Sequence, residues 1–297
     1  MAYTTEELLV EVREDARAKD TLPPDNMVLR LANRVLQGVF TPLIQSVIQG
    51  YGITQETYTI TPDTTSVPMP SRAFLSKAID VRWRPSGVDT EYSIPHLGYD
   101  YAEENPWGNM GFSLRDNMIR LHAPRAGTLV VDYAYRPGKL VLSSTVDTLA
   151  SAAALGATTL TTNSTYTSWT NGDKVDIVSA EAPYSLVYQG VVDSYSNPTI
   201  TLTEATDVAV PAGAYVCQSE QTPIFPLPDE MYPAFVTSVA AALATRIYEG
   251  GELAQALSQQ AAGFLNTIKA SLQDRVTHEA ENHVNWSSHL RLKYRSY

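Results

Sequence analysis

The chain has 297 residues, enough for one core domain carrying an inserted module, and its 44% hydrophobic and 18% charged residues exclude a disordered chain. The formal net charge is −11; Arg291, Lys293 and Arg295 fall in the last fifteen residues with no acid among them, so removing their +3 leaves −14 on residues 1–282. An acidic body excludes a nucleic-acid clamp, which gathers Lys and Arg on one face. Cys217 is the only cysteine, which excludes an internal disulfide and a cysteine-based zinc site.

The acidic opening, Met1 to Glu14, lacks an apolar run behind a basic stretch, so no secretory signal or transit peptide is expected. Thr4 with Glu7 forms a capping-box pattern, and Leu8, Leu9, Val12 and Ala16 give the helix it opens an apolar stripe. Leu22-Pro23-Pro24 stops that helix. Asp25 is placed to cap a second, in which Val28, Leu31, Val35, Leu36, Val39, Leu43 and Val47 recur at spacings of three and four. Pro42 removes a backbone donor inside this run, so a kink or break is expected there.

From Thr57 the pattern turns to strands. Lys77 to Trp83 alternates, Phe112 to Leu114 and Met118 to Leu121 flank the turn Arg115-Asp116-Asn117, and Thr128 to Tyr135 alternates again, which predicts a small antiparallel sheet. Tyr92 to Gly111, rich in Tyr, Pro, Gly and Trp, reads as an ordered surface loop. Between Ser143 and Gln221 the composition shifts to Thr, Ser, Ala, Val and Gly. Short strands are predicted at Thr158–Thr161, Lys174–Ser179, Ser185–Val192, Thr199–Thr203 and Ala214–Gln218, parted by Asn171-Gly172-Asp173, Asn197-Pro198 and Pro211-Ala212-Gly213. This reads as an inserted β-barrel-like module.

Helical sequence resumes at Pro226-Leu227-Pro228-Asp229, with Asp229 as the capping residue. Met231, Phe235, Val239, Leu243 and Ile247 step by four, and Ala240, Ala241, Ala242 and Ala244 keep the helix slim. The most apolar part, Ala234 to Ala244, is too short for a bilayer. Gly250-Gly251 breaks the chain before a second stripe, Leu253, Leu257, Ala261, Phe264, Leu265, Ile268, Leu272 and Val276, which predicts an αα-hairpin.

Motifs that carry chemistry are scarce. His278 and His283 are five apart, about 500° around a helix instead of the about 400° that puts two zinc ligands on one face. Gly108-Asn109-Met110-Gly111 follows a Pro-Trp turn and not a strand, so it reads as a turn and not a phosphate loop. Asp89 with Glu91 and Glu103 with Glu104 lack a histidine partner and read as exposed acids. No enzyme, cofactor or metal site is expected.

Met27 to Leu36 leading to Thr41-Pro42-Leu43, Tyr58-Thr59-Ile60 with Val67 to Ala73, Ala78 to Arg82, and Leu227 to Met231 before an Ala-rich helix and a glycine break together resemble the head-to-tail adaptor (connector) proteins of tailed bacteriophages. The resemblance spans residues 5–140 and 223–280 and lies in the order of these segments. It implies a virion protein whose helical core assembles as a homo-oligomeric ring, usually of twelve copies, beneath the portal protein, with a C-terminal segment docked into the portal. DNA then passes through the lumen without specific binding, and no membrane is involved.

The tail itself points to a partner. Trp286, Leu290, Leu292, Tyr294 and Tyr297 interleave with Arg291, Lys293 and Arg295, too aromatic for a solvated tail. In extended chain the apolar residues 290, 292 and 294 share one side and the cations the other, as a strand laid on a partner requires. By the resemblance these eight are the portal-binding residues. Trp169, Tyr184, Tyr188 and Tyr195 of the insertion are either contacts to tail nozzle or fibre proteins or core residues.

The expected architecture is therefore α+β: residues 1–142 hold N-terminal helices and antiparallel sheet, 143–221 the β-barrel-like insertion, 222–281 the helical hairpin completing the core, and 282–297 the portal-docking tail. Other readings are a different tail component such as a nozzle protein, or a carbohydrate-binding tail protein.

Overall fold

In the computed structural model, which describes residues 3–18, 23–47, 52–97, 110–163, 169–180, 186–249 and 251–270, the chain forms two compact units, one of residues 1–47 with 137–297 and one of residues 48–136. The fold is mixed α and β, with several antiparallel sheets. Among the described residues no helix is long and apolar enough to cross a membrane.

Helix α1 (Thr5–Asp15) begins with the expected capping box: Thr4 Oγ1 accepts from the Glu7 amide and the Glu7 carboxylate accepts from the Thr4 amide. Leu8, Leu9, Val12 and Ala16 are buried. Helix α2 (Asp25–Val35) starts differently from expectation. Pro24 is its cap residue and makes no side-chain capping bond, while Asp25 pairs with Arg13 of α1. Arg13 also donates to the Pro23 carbonyl at 2.7 Å, so the opposite charge draws Asp25 away from capping.

The run does not break at Pro42. A π turn, Leu36–Phe40, lies just before it, and helix continues as α3 (Thr41–Val47). The Thr41 amide reaches back five residues to the Leu36 carbonyl, which also accepts from Thr41 Oγ1 at 2.8 Å. One extra residue in a turn rotates everything beyond it by about 100°. The stripe therefore keeps the expected Leu36 but continues through Phe40 and Ile44, which are buried, in place of Val39 and Leu43, Val39 being 43% exposed.

The unit of residues 48–136 contains β1 (Ile53–Ile60), β2 (Ser66–Pro68), β3 (Ala73–Pro85), β4 (Tyr92–Ser93), β5 (Gly111–Arg115), β6 (Met118–His122) and β7 (Gly127–Tyr135). Two sheets form where one was expected, β1-β7-β3-β4 and β2-β6-β5. Ile60, Val81, Leu129 and Val131 from the first share a core with Val67, Phe112, Ile119 and Leu121 from the second. A sheet with one apolar face is stable only when that face is covered, and the second sheet covers it. The β5–β6 hairpin turns on Asp116 and Asn117 at φ 53° and 61°, the left-handed pair a two-residue turn needs. Gly127 (φ 152°) admits no side chain, because a Cβ would lie 2.3 Å from the Arg84 carbonyl oxygen. Of the loop expected at 92–111, residues 98–109 lie outside the described residues.

The chain then returns to the first unit with β8 (Lys139–Leu140), β9 (Asp147–Thr148), β10 (Thr159–Thr161), β11 (Lys174–Val178), β12 (Leu186–Ser196), β13 (Thr199–Leu202), β14 (Tyr215–Gln218) and β15 (Gln221–Thr222). Six of these form one curled sheet, β10-β13-β12-β11-β14-β9. Its two edges meet at an antiparallel bridge between Leu149 and Thr162. All five predicted strands are present, and Leu149, Leu160, Val175, Ile177, Val192, Ile200, Leu202 and Val216 fill the interior.

Helix α4 (Tyr232–Ile247) follows a 3-10 turn, Asp229–Met231; its cap is Met231 and not the expected Asp229. It is buried on almost every side, including Tyr232, Val236, Ala240 and Ala244 beside the expected Phe235, Val239 and Leu243, as befits a helix apolar all round. Phe235 meets Phe40 edge-on at 5.3 Å and Phe225 at 5.0 Å, and Tyr232 stacks on Tyr3 at 3.7 Å. After Gly251 a further helix, α5, covers 252–270 of the described residues. Ala254, Leu257 and Ala261 are buried, whereas Phe264 is 38% exposed. Leu272 and Val276 lie outside the described residues.

The unit boundaries differ from the expected ones, which grouped the sheet with the helices in 1–142 and set 143–221 apart. Hydrogen bonds explain why 137–222 belongs with the helices. The Leu140 amide donates to Asn33 Oδ1 at 2.7 Å, Asn33 Nδ2 donates to the Leu140 carbonyl at 3.0 Å, and the Ser143 amide and hydroxyl both donate to Glu6 at 2.7 Å. Parallel pairing of β8 with β15 holds the start and end of the segment together.

Phe235→Ala removes a fully buried ring in contact with two others. It is expected to cost about 3–5 kcal/mol in urea unfolding, against under about 1 kcal/mol for Phe264→Ala.

Candidate interaction surface

The residues expected to make contacts divide into two groups. Trp286, Leu290, Arg291, Leu292, Lys293, Tyr294, Arg295 and Tyr297 lie outside the described residues, as do Tyr184, Glu103, Glu104, His278 and His283. Trp169, Tyr188 and Tyr195 belong to the core of the curled sheet. Trp169 and Tyr188 are buried; the indole N–H donates to the buried Asp147 carboxylate at 3.4 Å, and the Tyr188 hydroxyl donates to the Glu204 carbonyl at 3.2 Å. Of the two roles weighed for these aromatics, packing describes where they sit.

The period of two explains Tyr188, which shares the inner side of β12 with Val192. Tyr195 is an odd number of residues further on, so strict alternation would turn it outward. A register shift between Val192 and Ser194 supplies the extra residue that turns it back. Its phenol is pushed up by burial and by the Asp147 charge.

Of the acid pair Asp89 and Glu91, Glu91 is engaged. Arg82 on β3 bonds both oxygens of Asp132 on β7, at 2.5 and 2.7 Å, and lies 2.7 Å from Glu91 and 3.5 Å from Asp80. Asp80 and Asp132 are register partners on adjacent strands, a like-charge pair that would repel without the guanidinium. Partial burial opposes the arginine charge, but the Asp132 hydrogen bond and the surrounding carboxylates outweigh it and hold its pKa above the ordinary value. The cluster ties strands together and leaves no free base or nucleophile at Arg82. Asp80 and Arg82 stand two apart on a predicted strand, the signal that could have revealed it. Among the described residues no group of three or more His, Cys, Asp or Glu is arranged to hold a metal, and Cys217 is buried.

Two exposed helix faces carry opposite charge. On α1, Glu7, Val10, Glu11 and Glu14 recur at helical spacing and face solvent, Val10 being 55% exposed. Burial raises the pKa of Glu11; the Tyr232 hydroxyl opposes this, while Asp15, Glu7 and Glu14 add to it. Asp15 is raised by burial and then by Glu14. On α2, Asn26, Arg30 and Arg34 are exposed at steps of four, with Gly38 the next step in the π turn. Neither arginine forms an ion pair among the described residues.

A further apolar point stands on β3. Its register jumps from Ala73–Tyr135 to Ala78–Tyr133, and in the bulge Leu75 and Ser76 adopt φ 54° and 52°, leaving Leu75 82% exposed. No protein-family model matches the chain, and a search of curated proteins finds no match.

Arg82→Ala leaves three carboxylates facing one another. It is expected to lower stability by about 1–3 kcal/mol in urea, with Arg82→Lys in between because one ammonium cannot reach Asp132, Glu91 and Asp80 as the three guanidinium nitrogens do. Glu11 has a raised folded-state pKa, so its ionisation disfavours the fold as pH rises through that value, and folding is favoured below it. Glu11→Gln is therefore expected to raise Tm at pH 7, with the gain vanishing below about pH 4, where the wild-type carboxyl is itself protonated.

Proposed function

We propose that this chain is a head-to-tail adaptor of a tailed bacteriophage, a structural ring subunit without enzymatic activity that joins portal to tail. In this reading helices from both ends of the chain form the ring-building core. In the same reading residues 282–297 grip the portal. The observation that carries the proposal is the order of the resembling segments: 27–43, 58–82, then 227–231 running into an Ala-rich helix and a glycine break.

The charge distribution supports it. With −14 on residues 1–282, a lumen wall repels phosphate over a screening length of about 8 Å at physiological salt, so DNA slides instead of sticking. The three tail cations would sit away from that wall, at the portal. One extended tail binds weakly because ordering it costs conformational entropy, while a ring offering many tails to a matching ring raises the effective concentration for each successive docking.

Deleting residues 282–297 is expected to abolish capture by portal rings of the same virus while leaving the circular dichroism spectrum and Tm nearly unchanged. Negative-stain electron microscopy of the intact protein with portal is expected to show a second ring beneath the first. A particle that stays monomeric and indifferent to portal would sink the proposal.

A further inference from the structure

We infer that copies of this chain associate head to tail through two helix faces of unlike charge, the acidic face of α1 in one copy lying on the basic face of α2 in the next. The inference rests on the ring reading and names the contact that would build it. On α1 the face is Glu7, Val10, Glu11 and Glu14; on α2 it is Asn26, Arg30 and Arg34, continued by Gly38 in the π turn. All are exposed among the described residues.

Spacing matches across the two faces. Glu7 to Glu11 and Arg30 to Arg34 are both four-residue steps, about 6 Å along a helix, so two carboxylates can meet two guanidinium groups in one register. Among the described residues neither Glu7, Glu11 and Glu14 nor Arg30 and Arg34 form an ion pair. Burial raises the pKa of Glu11, and the charges of Asp15, Glu7 and Glu14 add to the rise. Arg13, the arginine of α1 itself, is committed to Asp25 and the Pro23 carbonyl.

Apolar side chains complete both faces. Val10 is 55% exposed in the middle of the acidic stripe, and Val39 is 43% exposed beside Gly38, where the π turn rotates it out of the core. Gly38 has no atom within 4 Å of where a Cβ would stand, so the helix surface is open for close approach there. Because the two faces are different surfaces, one contact leaves a free acidic face at one end and a free basic face at the other. Such heterologous contacts propagate, and close into a ring when the rotation per copy divides a full turn.

Sedimentation velocity on the full chain tests this with four proteins: wild type, R30E/R34E, E7K/E11K, and the quadruple variant carrying both changes, each checked for folding by circular dichroism. Wild type is expected to sediment as a species larger than a dimer and to shift toward monomer between about 50 and 500 mM NaCl. Each double variant is expected to associate on the order of tenfold or more weakly, because two attractive pairs become repulsive. The quadruple variant exchanges the signs of both faces and is expected to reassemble, as is a 1:1 mixture of the two double variants. Double variants that assemble like wild type, a quadruple variant that stays dissociated, or a wild-type species that stops at a dimer overturns the pairing while leaving the ring reading standing or to be sought at another face. A wild-type protein that is monomeric at every concentration and on portal rings overturns both.

Discussion

Helix α4 is the constraint around which its unit is organised. Ten of its sixteen residues are buried, spread over the whole circumference, and a helix with no polar side has no stable state in water by itself. Both α1 and α2 touch it, and the rings of Tyr3, Phe40, Phe225, Tyr232 and Phe235 knit it to segments nearly two hundred residues away in sequence. The same need explains the pairing of residues 3–5 with 223–225: Thr5 donates its amide and hydroxyl to the Pro223 carbonyl at 2.9 Å, and the Phe225 amide donates to the Tyr3 carbonyl at 2.9 Å. The chain's first helix and the lead-in to α4 are thereby held as neighbours, and everything between them must leave and return at that point.

Aromatic and charged residues divide the remaining work. The aromatics of the curled sheet are turned inward, where area removed from water stabilises a module with few charges. Charge is left outside, and it is unevenly distributed: Arg82 is saturated by carboxylates and Arg13 is held by Asp25, but Arg30 and Arg34 and the exposed acids Glu7, Glu11 and Glu14 form no ion pair among the described residues. Opposed charges left on separate helix faces are suited to recognising a partner by electrostatic register. That property fits the adaptor proposal, in which many weak, identical contacts act together.

Two irregularities do more than interrupt their elements. The π turn changes which side of α2–α3 faces the core and places Val39 in solvent, and the bulge in β3 lifts Leu75 out of the sheet. The π turn adds a residue that turns the side chains beyond it, while the β3 bulge adds residues with none opposite and turns Leu75 outward locally. Surface features thus arise from a local change of phase and not from a change in composition.

Local chemistry was legible in the residues alone. The Thr4–Glu7 box, the Asp116-Asn117 hairpin, the five strands of the insertion and the break at Gly251 follow from capping, left-handed turn preference and period-two alternation, all of which act over a few residues. Which face a residue presents after an inserted residue, as for Phe40 and Tyr195, was not legible, because strict periodicity assumes an unbroken count. Nor was the second sheet, the Arg82 cluster or the division at residues 48 and 136. These depend on which strand lies beside which and on bonds such as Asn33 to Leu140, made between residues far apart in the chain, and only the closing of the backbone on itself decides them.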